Sequence, residues 1–137
     1  MNEINCITAT LVPDADRLEF LPAMFGTRQM MRGEALVFGW MKQLCTDYQG
    51  GYWNFYTLSN GGGYLALAKV KLVQIDVEAN GCSGELSADA AGIVATLFAL
   101  CQLAAETEQE GIVELYHALR DFAAEHAEAG LIFRAID

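Results

Sequence analysis

The spacing of apolar residues along the chain predicts three long helices. In residues 34–45, apolar side chains recur in an i, i+1, i+4, i+5, i+8 order, which is typical of a helix with one buried stripe. Residues 88–106 are apolar on nearly every side and predict a central buried helix, with Ser87 as its N-cap and Asp89 in its first turn. A third apolar stripe predicts an amphipathic helix that ends near residue 125.

Polar residues and glycine indicate where the other helices begin and end. Thr107 and Glu110 have the spacing of a capping box at the start of the third helix. Asp14 is expected to cap a short helix near the N-terminus, because its carboxylate can accept hydrogen bonds from the free amides of the first turn. Gly130 closes the third helical region, and the last residues are expected to form a short helical turn.

Strands are predicted where aromatic and β-branched residues concentrate or alternate with polar ones. The predicted strands are residues 4–12, 52–58, 64–67, 73–78 and 82–86. Asn60-Gly61 and Asn80-Gly81 separate pairs of these strands and tolerate the positive φ of tight reversals, so the pairing should be antiparallel. Together the elements predict a single α+β domain, residues 1–137, in which a small antiparallel β-meander packs against three to four helices.

Charge is distributed unevenly between the two parts of the chain. The 137 residues are 53% hydrophobic, which is enough for one self-sufficient core. Acidic residues number 18 against 8 Lys and Arg, and residues 76–137 carry the whole net charge of -10, with only Arg120 and Arg134 as bases. Phosphate backbones and anionic lipids attract clustered Lys and Arg, so we predict neither direct nucleic-acid binding nor a membrane partner.

Nothing in the sequence indicates export or membrane insertion. The first ten residues contain Glu3 and neither a basic region nor a long apolar stretch. The most apolar run, residues 90–105, is too short for a membrane span and is flanked by acids, so it is interpreted as a core helix. We therefore expect a cytoplasmic protein whose four widely spaced cysteines are reduced.

Enzyme chemistry has two weak candidates. His117 and Asp121 lie four residues apart on the third helix, a spacing that lets a carboxylate orient an imidazole. No serine or cysteine nucleophile precedes them locally, and Cys45 belongs to the apolar stripe of a helix. We therefore predict no catalytic residue and treat an enzyme as the rival class.

Cofactor and metal sites are not predicted either. The glycines at residues 61–63 lie between two strands, whereas a phosphate-binding loop leads from a strand into a helix. Asp76 and Glu78 project from one strand face and could bind a cation, but alternating acids on a solvated strand face are ordinary. The cysteines lack the paired spacing of a zinc site.

Two surfaces are candidates for binding a protein partner. Six aromatic residues lie close together in one hairpin region: Tyr48, Tyr52, Trp53, Phe55, Tyr56 and Tyr64. About half of them should face the core. The rest, with neighbouring polar residues, could form an amphipathic contact patch, for which the candidates are Asp47, Tyr48, Gln49 and Asn54. The second candidate is an acidic surface at the third helix, formed by Glu106, Glu108, Glu110 and Glu114. Such charge runs are more often simply solvated.

Two long blocks of the sequence resemble the plasmid antirestriction family known as ArdB and KlcA. They are residues 45–62 (CTDYQGGYWNFYTLSNGG) and residues 84–97 (GELSADAAGIVATL). Shorter supporting stretches are residues 17–22 (RLEFLP), with Phe25-Gly26, and residues 36–41 (LVFGWM). The resemblance extends over nearly the whole chain.

This resemblance implies a small cytoplasmic α+β protein of a mobile element that protects incoming unmodified DNA from type I restriction enzymes. It implies no catalytic reaction and no cofactor. The expected partner is a host type I restriction enzyme or an associated host protein, and the chain is expected to be a monomer or homodimer. The alternative is a regulatory or toxin-neutralising protein-binding module without antirestriction activity.

Overall fold

The computed structural model describes residues 6–137, which form two small antiparallel sheets and five helices. The strands are β1 (Ala9–Leu11), β2 (Trp53–Leu58), β3 (Gly63–Leu67), β4 (Leu72–Val77) and β5 (Cys82–Ser87). The helices are α1 (Arg17–Phe25), α2 (Met30–Leu44), α3 (Ala88–Thr107), α4 (Glu110–Glu125) and α5 (Ala129–Ile136). The predicted α+β class is confirmed.

The strands divide into two sheets and do not form one continuous meander. β1, β2 and β3 form the first sheet in that order, and β4 pairs only with β5. The edge of β3 that faces away from β2 is covered by α3, where the Thr96 hydroxyl contacts both the amide and the carbonyl of Leu65, at 3.3 and 3.4 Å. Because this edge is occupied, β4 cannot extend the first sheet and pairs with β5 instead.

Helix α3 is the centre of the core. Twelve of its 20 residues are buried, and Ser87 caps it as predicted, with its hydroxyl accepting a hydrogen bond from the Ala90 amide at 3.0 Å. Its length and apolar composition would suit a membrane span, but 67% of its most apolar stretch is buried inside the fold. It is therefore covered by protein, as a core helix is.

The other predicted helix caps are wrong. Asp14 makes no capping hydrogen bond; it lies in a single 3-10 turn (Asp14–Asp16) that precedes α1. The capping box of Thr107 and Glu110 does not form, because Thr107 is still part of α3 and the N-cap of α4 is Gln109. The Thr107 hydroxyl donates to the Leu103 carbonyl and accepts from the Gln109 amide at 3.3 Å. Glu108, in the left-handed conformation with φ 54°, ends α3 instead.

Several element boundaries also differ from the predictions. The first strand is limited to Ala9–Leu11, and residues 4 and 5 of the predicted strand lie outside the described residues. Helix α2 begins four residues earlier than predicted, at Met30, and the final helical turn is a full helix of eight residues. The last helix is strongly amphipathic, with Ile132 and Ala135 fully buried against the core.

Replacing Gly92 by alanine is expected to destabilise the protein by about 3 kcal/mol. A Cβ at this position would lie 2.4 Å from the Leu65 carbonyl oxygen and 2.6 Å from the Ala66 backbone, so helix and strand would have to separate. Urea unfolding measures the effect. The matched control is Gly39→Ala on α2, where a Cβ meets nothing within 4 Å and should add about 0.5–1 kcal/mol of stability. Equal stability of the two variants would show that the contact is not limiting.

Candidate functional site

The first three candidate residues lie in the loop between α2 and β2. Asp47 and Gln49 are exposed, and Tyr48 is half-buried. The Tyr48 hydroxyl accepts a hydrogen bond from the Trp53 indole at 3.1 Å, and the two rings meet edge to face. Tyr48 is thereby held in place, while the two polar neighbours are free to contact a partner.

This loop forms one wall of a recess of about 200 Å³. Its opposite wall is mostly apolar and is formed by the end of β3, the connection that follows and β4: Leu67, Val70, Leu72 and Val73, with the polar Gln74 beside them. Val70 and Leu72 are 44% and 57% exposed, which is unusual for aliphatic side chains beside polar loop residues. The recess therefore offers both polar and apolar contact surface.

Asn54 lies in an adjoining recess of about 290 Å³. That recess is polar and is lined on one side by Lys69 and Lys71. Leu67 and Val70 line both recesses, so the structure brings the four predicted residues around one segment of chain. We call these two recesses together the hairpin surface.

The aromatic cluster divides between core and surface. Trp53, Phe55 and Tyr64 are buried, Tyr48 and Tyr56 are half-buried, and Tyr52 is 48% exposed. Tyr56 stacks on Tyr64 across the β2–β3 pair at 4.8 Å between ring centroids. Most of the cluster thus packs within the sheet, and the neighbouring polar side chains are the ones exposed for contact with a partner.

The acidic candidates lie at the junction of α3 and α4, but one of them is neutralised. Glu106 accepts two hydrogen bonds from the Arg32 guanidinium, at 2.7 and 3.0 Å, and a third from Gln102. These bonds lower the pKa of Glu106 to about 2. Glu106 therefore contributes little free negative charge to this surface.

Glu108, Glu110 and Glu114 are exposed and form the acidic junction. Ala88 lines the hairpin surface at the other end of α3, 18 residues before Glu106. At 1.5 Å per residue, the hairpin surface and the acidic junction are separated by about 27 Å along the helix. The two predicted candidate sets are therefore two separate surfaces.

A polar network at the start of α3 was not predicted from the sequence. Asp89 accepts a hydrogen bond from the Tyr64 hydroxyl at 2.7 Å and pairs with the His126 imidazole Nε2 at 2.9 Å. The Glu128 carboxylate accepts hydrogen bonds from both the amide and the hydroxyl of Ser87. Burial, followed by the bond to Asp89, raises the pKa of Tyr64 above its ordinary value, so the hydroxyl remains a donor.

The network contains serine, histidine and aspartate, but it is not arranged for nucleophilic catalysis. His126 Nδ1 accepts the Glu128 amide at 3.0 Å, and Nε2 faces Asp89. Both imidazole nitrogens are therefore engaged, and the Ser87 hydroxyl donates to Glu128 instead of to a base. The network ties β3 and the ends of three helices together.

The two enzyme candidates from the sequence are not assembled either. His117 is exposed and contacts the Tyr116 ring edge to face. Within residues 6–137, no hydrogen bond joins it to Asp121, and Cys45 is a buried free thiol. The same residues contain no group of three or more His, Cys, Asp or Glu side chains able to hold a metal ion.

Removing the Tyr64 hydroxyl with Tyr64→Phe is expected to lower the free energy of unfolding by about 2 kcal/mol, because Asp89 loses a buried donor. Tyr116→Phe is the control. Its hydroxyl accepts only a 3.3 Å contact from Arg120, so the loss should stay within about 0.5 kcal/mol. Chemical denaturation measures the free energy of unfolding of both variants. An unchanged value for Tyr64→Phe would mean that the network does not stabilise the fold.

The ion pair of Glu106 and Arg32 predicts a pH-dependent contribution to stability. The folded pKa is about 2 and the ordinary value is 4.5, so the contribution is present above pH 4.5 and is lost as the pH falls towards 2. Glu106→Gln should lower the melting temperature slightly at pH 7, because both partners are solvent-exposed, and the difference should vanish near pH 2. Glu114→Gln is the control. If Glu106→Gln lowered the melting temperature as much at pH 2 as at pH 7, the ion pair could not be the cause of the difference.

The comparisons with known proteins agree with the resemblance of residues 45–62 and 84–97. A family model described as antirestriction protein matches residues 46–137. Antirestriction protein KlcA of Escherichia coli is 58% identical over 135 residues, covering 96% of this chain and 95% of KlcA. Uncharacterized protein YfjX of Escherichia coli K12 is 40% identical over 137 residues, covering 96% of this chain and 88% of YfjX.

A solved structure of an antirestriction protein matches this chain over its full length. It has a TM-score of 0.91 and 55% sequence identity, and the match covers 100% of this chain and 99% of that chain. It comes from work on the KlcA and ArdB proteins, for which a novel fold and antirestriction activity against type I DNA restriction systems, in vivo but not in vitro, are described. From its sequence and its fold together, this chain belongs to the antirestriction protein family.

Proposed function

We propose that this protein protects incoming unmodified DNA of a mobile element from type I restriction–modification enzymes in the host cytoplasm. The observation that carries the proposal is the match to the KlcA and ArdB fold over the full length of the chain, at 55% identity. Those proteins act against type I systems in vivo. The 58% identity to KlcA of Escherichia coli supports the same activity.

The protein acts through contact with another protein or indirectly, without catalysing a reaction. Among the described residues, the serine, histidine and cysteine side chains that could act in catalysis are engaged in structural hydrogen bonds, buried or isolated from one another. The activity of KlcA and ArdB in vivo but not in vitro also supports dependence on a component of the cell. A host protein associated with the restriction enzyme is such a component.

Imitation of DNA is the weaker mechanism. Duplex DNA carries one charge per about 1.7 Å, so a mimic of 30–35 Å needs on the order of twenty arranged charges. The net charge of this chain is -10, and Glu106 and Asp89 are already paired with Arg32 and His126. A mimic that filled the DNA site of the enzyme would also be expected to inhibit the purified enzyme, unlike KlcA and ArdB.

The hairpin surface is the proposed contact, with Asp47, Tyr48, Gln49 and Asn54 as its polar residues. Exposed aliphatic side chains beside fixed aromatic and amide groups are typical of protein interfaces. The acidic junction of Glu108, Glu110 and Glu114 is the second candidate. Glu106 contributes mainly to the fold through Arg32.

The test is the plating efficiency of unmodified phage on a host with an active type I system, with and without the protein. We expect the protein to raise plating on this host and to leave plating unchanged on a nuclease-negative host. No rise, with folded protein present in the cells, would contradict the proposal and favour a regulatory or toxin-neutralising binding module.

Two sets of variants then identify the working surface. Asp47→Ala with Gln49→Ala should lower protection by about tenfold or more, because both exposed side chains contact the partner directly. Asp121→Ala with Gln109→Ala changes the same residue types on exposed positions of α4 and its N-cap and should protect normally. Glu108, Glu110 and Glu114 are replaced together by glutamine, leaving Glu106 paired; lost protection in this variant, with normal protection by Asp47→Ala with Gln49→Ala, would make the acidic junction the working surface instead.

A further inference from the structure

A third recess, separate from both candidate surfaces, lies between α2, α3 and the end of β4. Its volume is about 560 Å³, within the roughly 300–1,000 Å³ of ligand-binding clefts. It is lined by Trp40, Gln43, Leu44, Asp76, Val77, Glu78, Ala79 and Phe98. We call it the α2–β4 recess.

The aromatic wall of the α2–β4 recess is fixed in place. Trp40 and Phe98 stack with 4.6 Å between ring centroids and an angle of 13°, and both rings remain partly exposed. The Trp40 indole N–H donates to Gln102 at 3.0 Å, and Gln102 donates in turn to Glu106. The orientation of the indole is thus set by a chain of hydrogen bonds before any ligand arrives.

The facing wall carries two negative charges. Asp76 and Glu78 are exposed at the end of β4, and the lining contains no lysine, arginine or histidine. Asp76 accepts one hydrogen bond from the Ser83 hydroxyl at 2.6 Å, which orients the carboxylate without neutralising it. A cation is therefore the ligand that both walls attract.

We propose that the α2–β4 recess binds an arginine side chain of a protein partner. A guanidinium group stacks on aromatic faces and forms paired hydrogen bonds with carboxylates, so it matches both walls at once. A lysine ammonium would gain the charge attraction but less of the planar stacking. The net charge of -10 adds long-range attraction for a basic partner.

This inference rests on the proposed function, because it names the chemistry of one contact with the protein partner. The recess is nevertheless tested on the purified protein, without restriction. A peptide that does not bind would therefore contradict only the recess proposal, and a protein that does not raise plating would contradict only the proposed function.

The experiment is a nitrogen–proton NMR titration of the purified protein with a blocked pentapeptide that contains two arginines. The chain has two tryptophans, and the indole signal of Trp40 should shift on binding. Trp53 is buried and donates to Tyr48, so its signal serves as the internal reference. The same peptide with citrulline in place of arginine keeps the shape without the charge and should give no saturable shift.

Variants make the test specific to the recess. Asp76→Asn with Glu78→Gln should raise the peptide Kd by about tenfold or more, because the charge-assisted hydrogen bonds are lost. Asp121→Asn with Glu19→Gln removes the same charge at exposed positions of α4 and α1 outside the recess and should change the Kd by less than about twofold in 0.15 M salt. An unshifted Trp40 signal, an equal response to the citrulline peptide, or equal weakening by both double variants would each overturn the proposal. Thermal melts confirm that every variant is folded.

Discussion

The close contact between α3 and β3 is the constraint on which the rest of the structure depends. Gly92 lets the helix approach the strand backbone, and this approach brings the Thr96 hydroxyl to the free amide and carbonyl of Leu65. The edge of the first sheet is satisfied by a side chain, so no further strand is added there. The chain must turn away after β3, and the second sheet and the recesses between the elements follow from that turn.

The parts of the fold that depend on neighbouring residues could be predicted from the sequence. The continuous apolar run of α3, its Ser87 cap and the Asn60-Gly61 reversal are decided within a few positions. The division into two sheets could not be predicted, because it follows from the packing of α3 against β3, in which Thr96 contacts Leu65, 31 positions earlier in the chain. The Thr107 capping box failed for another reason: α3 continues through Thr107, so the N-cap of α4 is Gln109 and the threonine is not at the start of that helix.

The sequence was sufficient to predict which residues of the loop belong to the candidate site, but not which other residues complete the surface. Exposed polar residues beside aromatic ones marked the loop at Asp47, whereas the apolar walls at Leu67 and Val70 came together only in the fold. A charge count from the sequence also includes every acidic residue as an unpaired charge. Arg32 lies 74 residues from Glu106, and His126 lies 37 residues from Asp89, so no local pattern reveals which carboxylates are already paired.

The tie between the C-terminal helices and the start of α3 makes the last helix part of the core. Glu128 bonds to Ser87, Asn80 donates to the Ala135 carbonyl, and Ile132 lies fully buried. Helix α5 therefore cannot open without uncovering apolar surface of α3 and breaking the bonds to Ser87 and Asn80. The last helix thus belongs to the same cooperative unit as the core, although it lies far from α3 in the sequence.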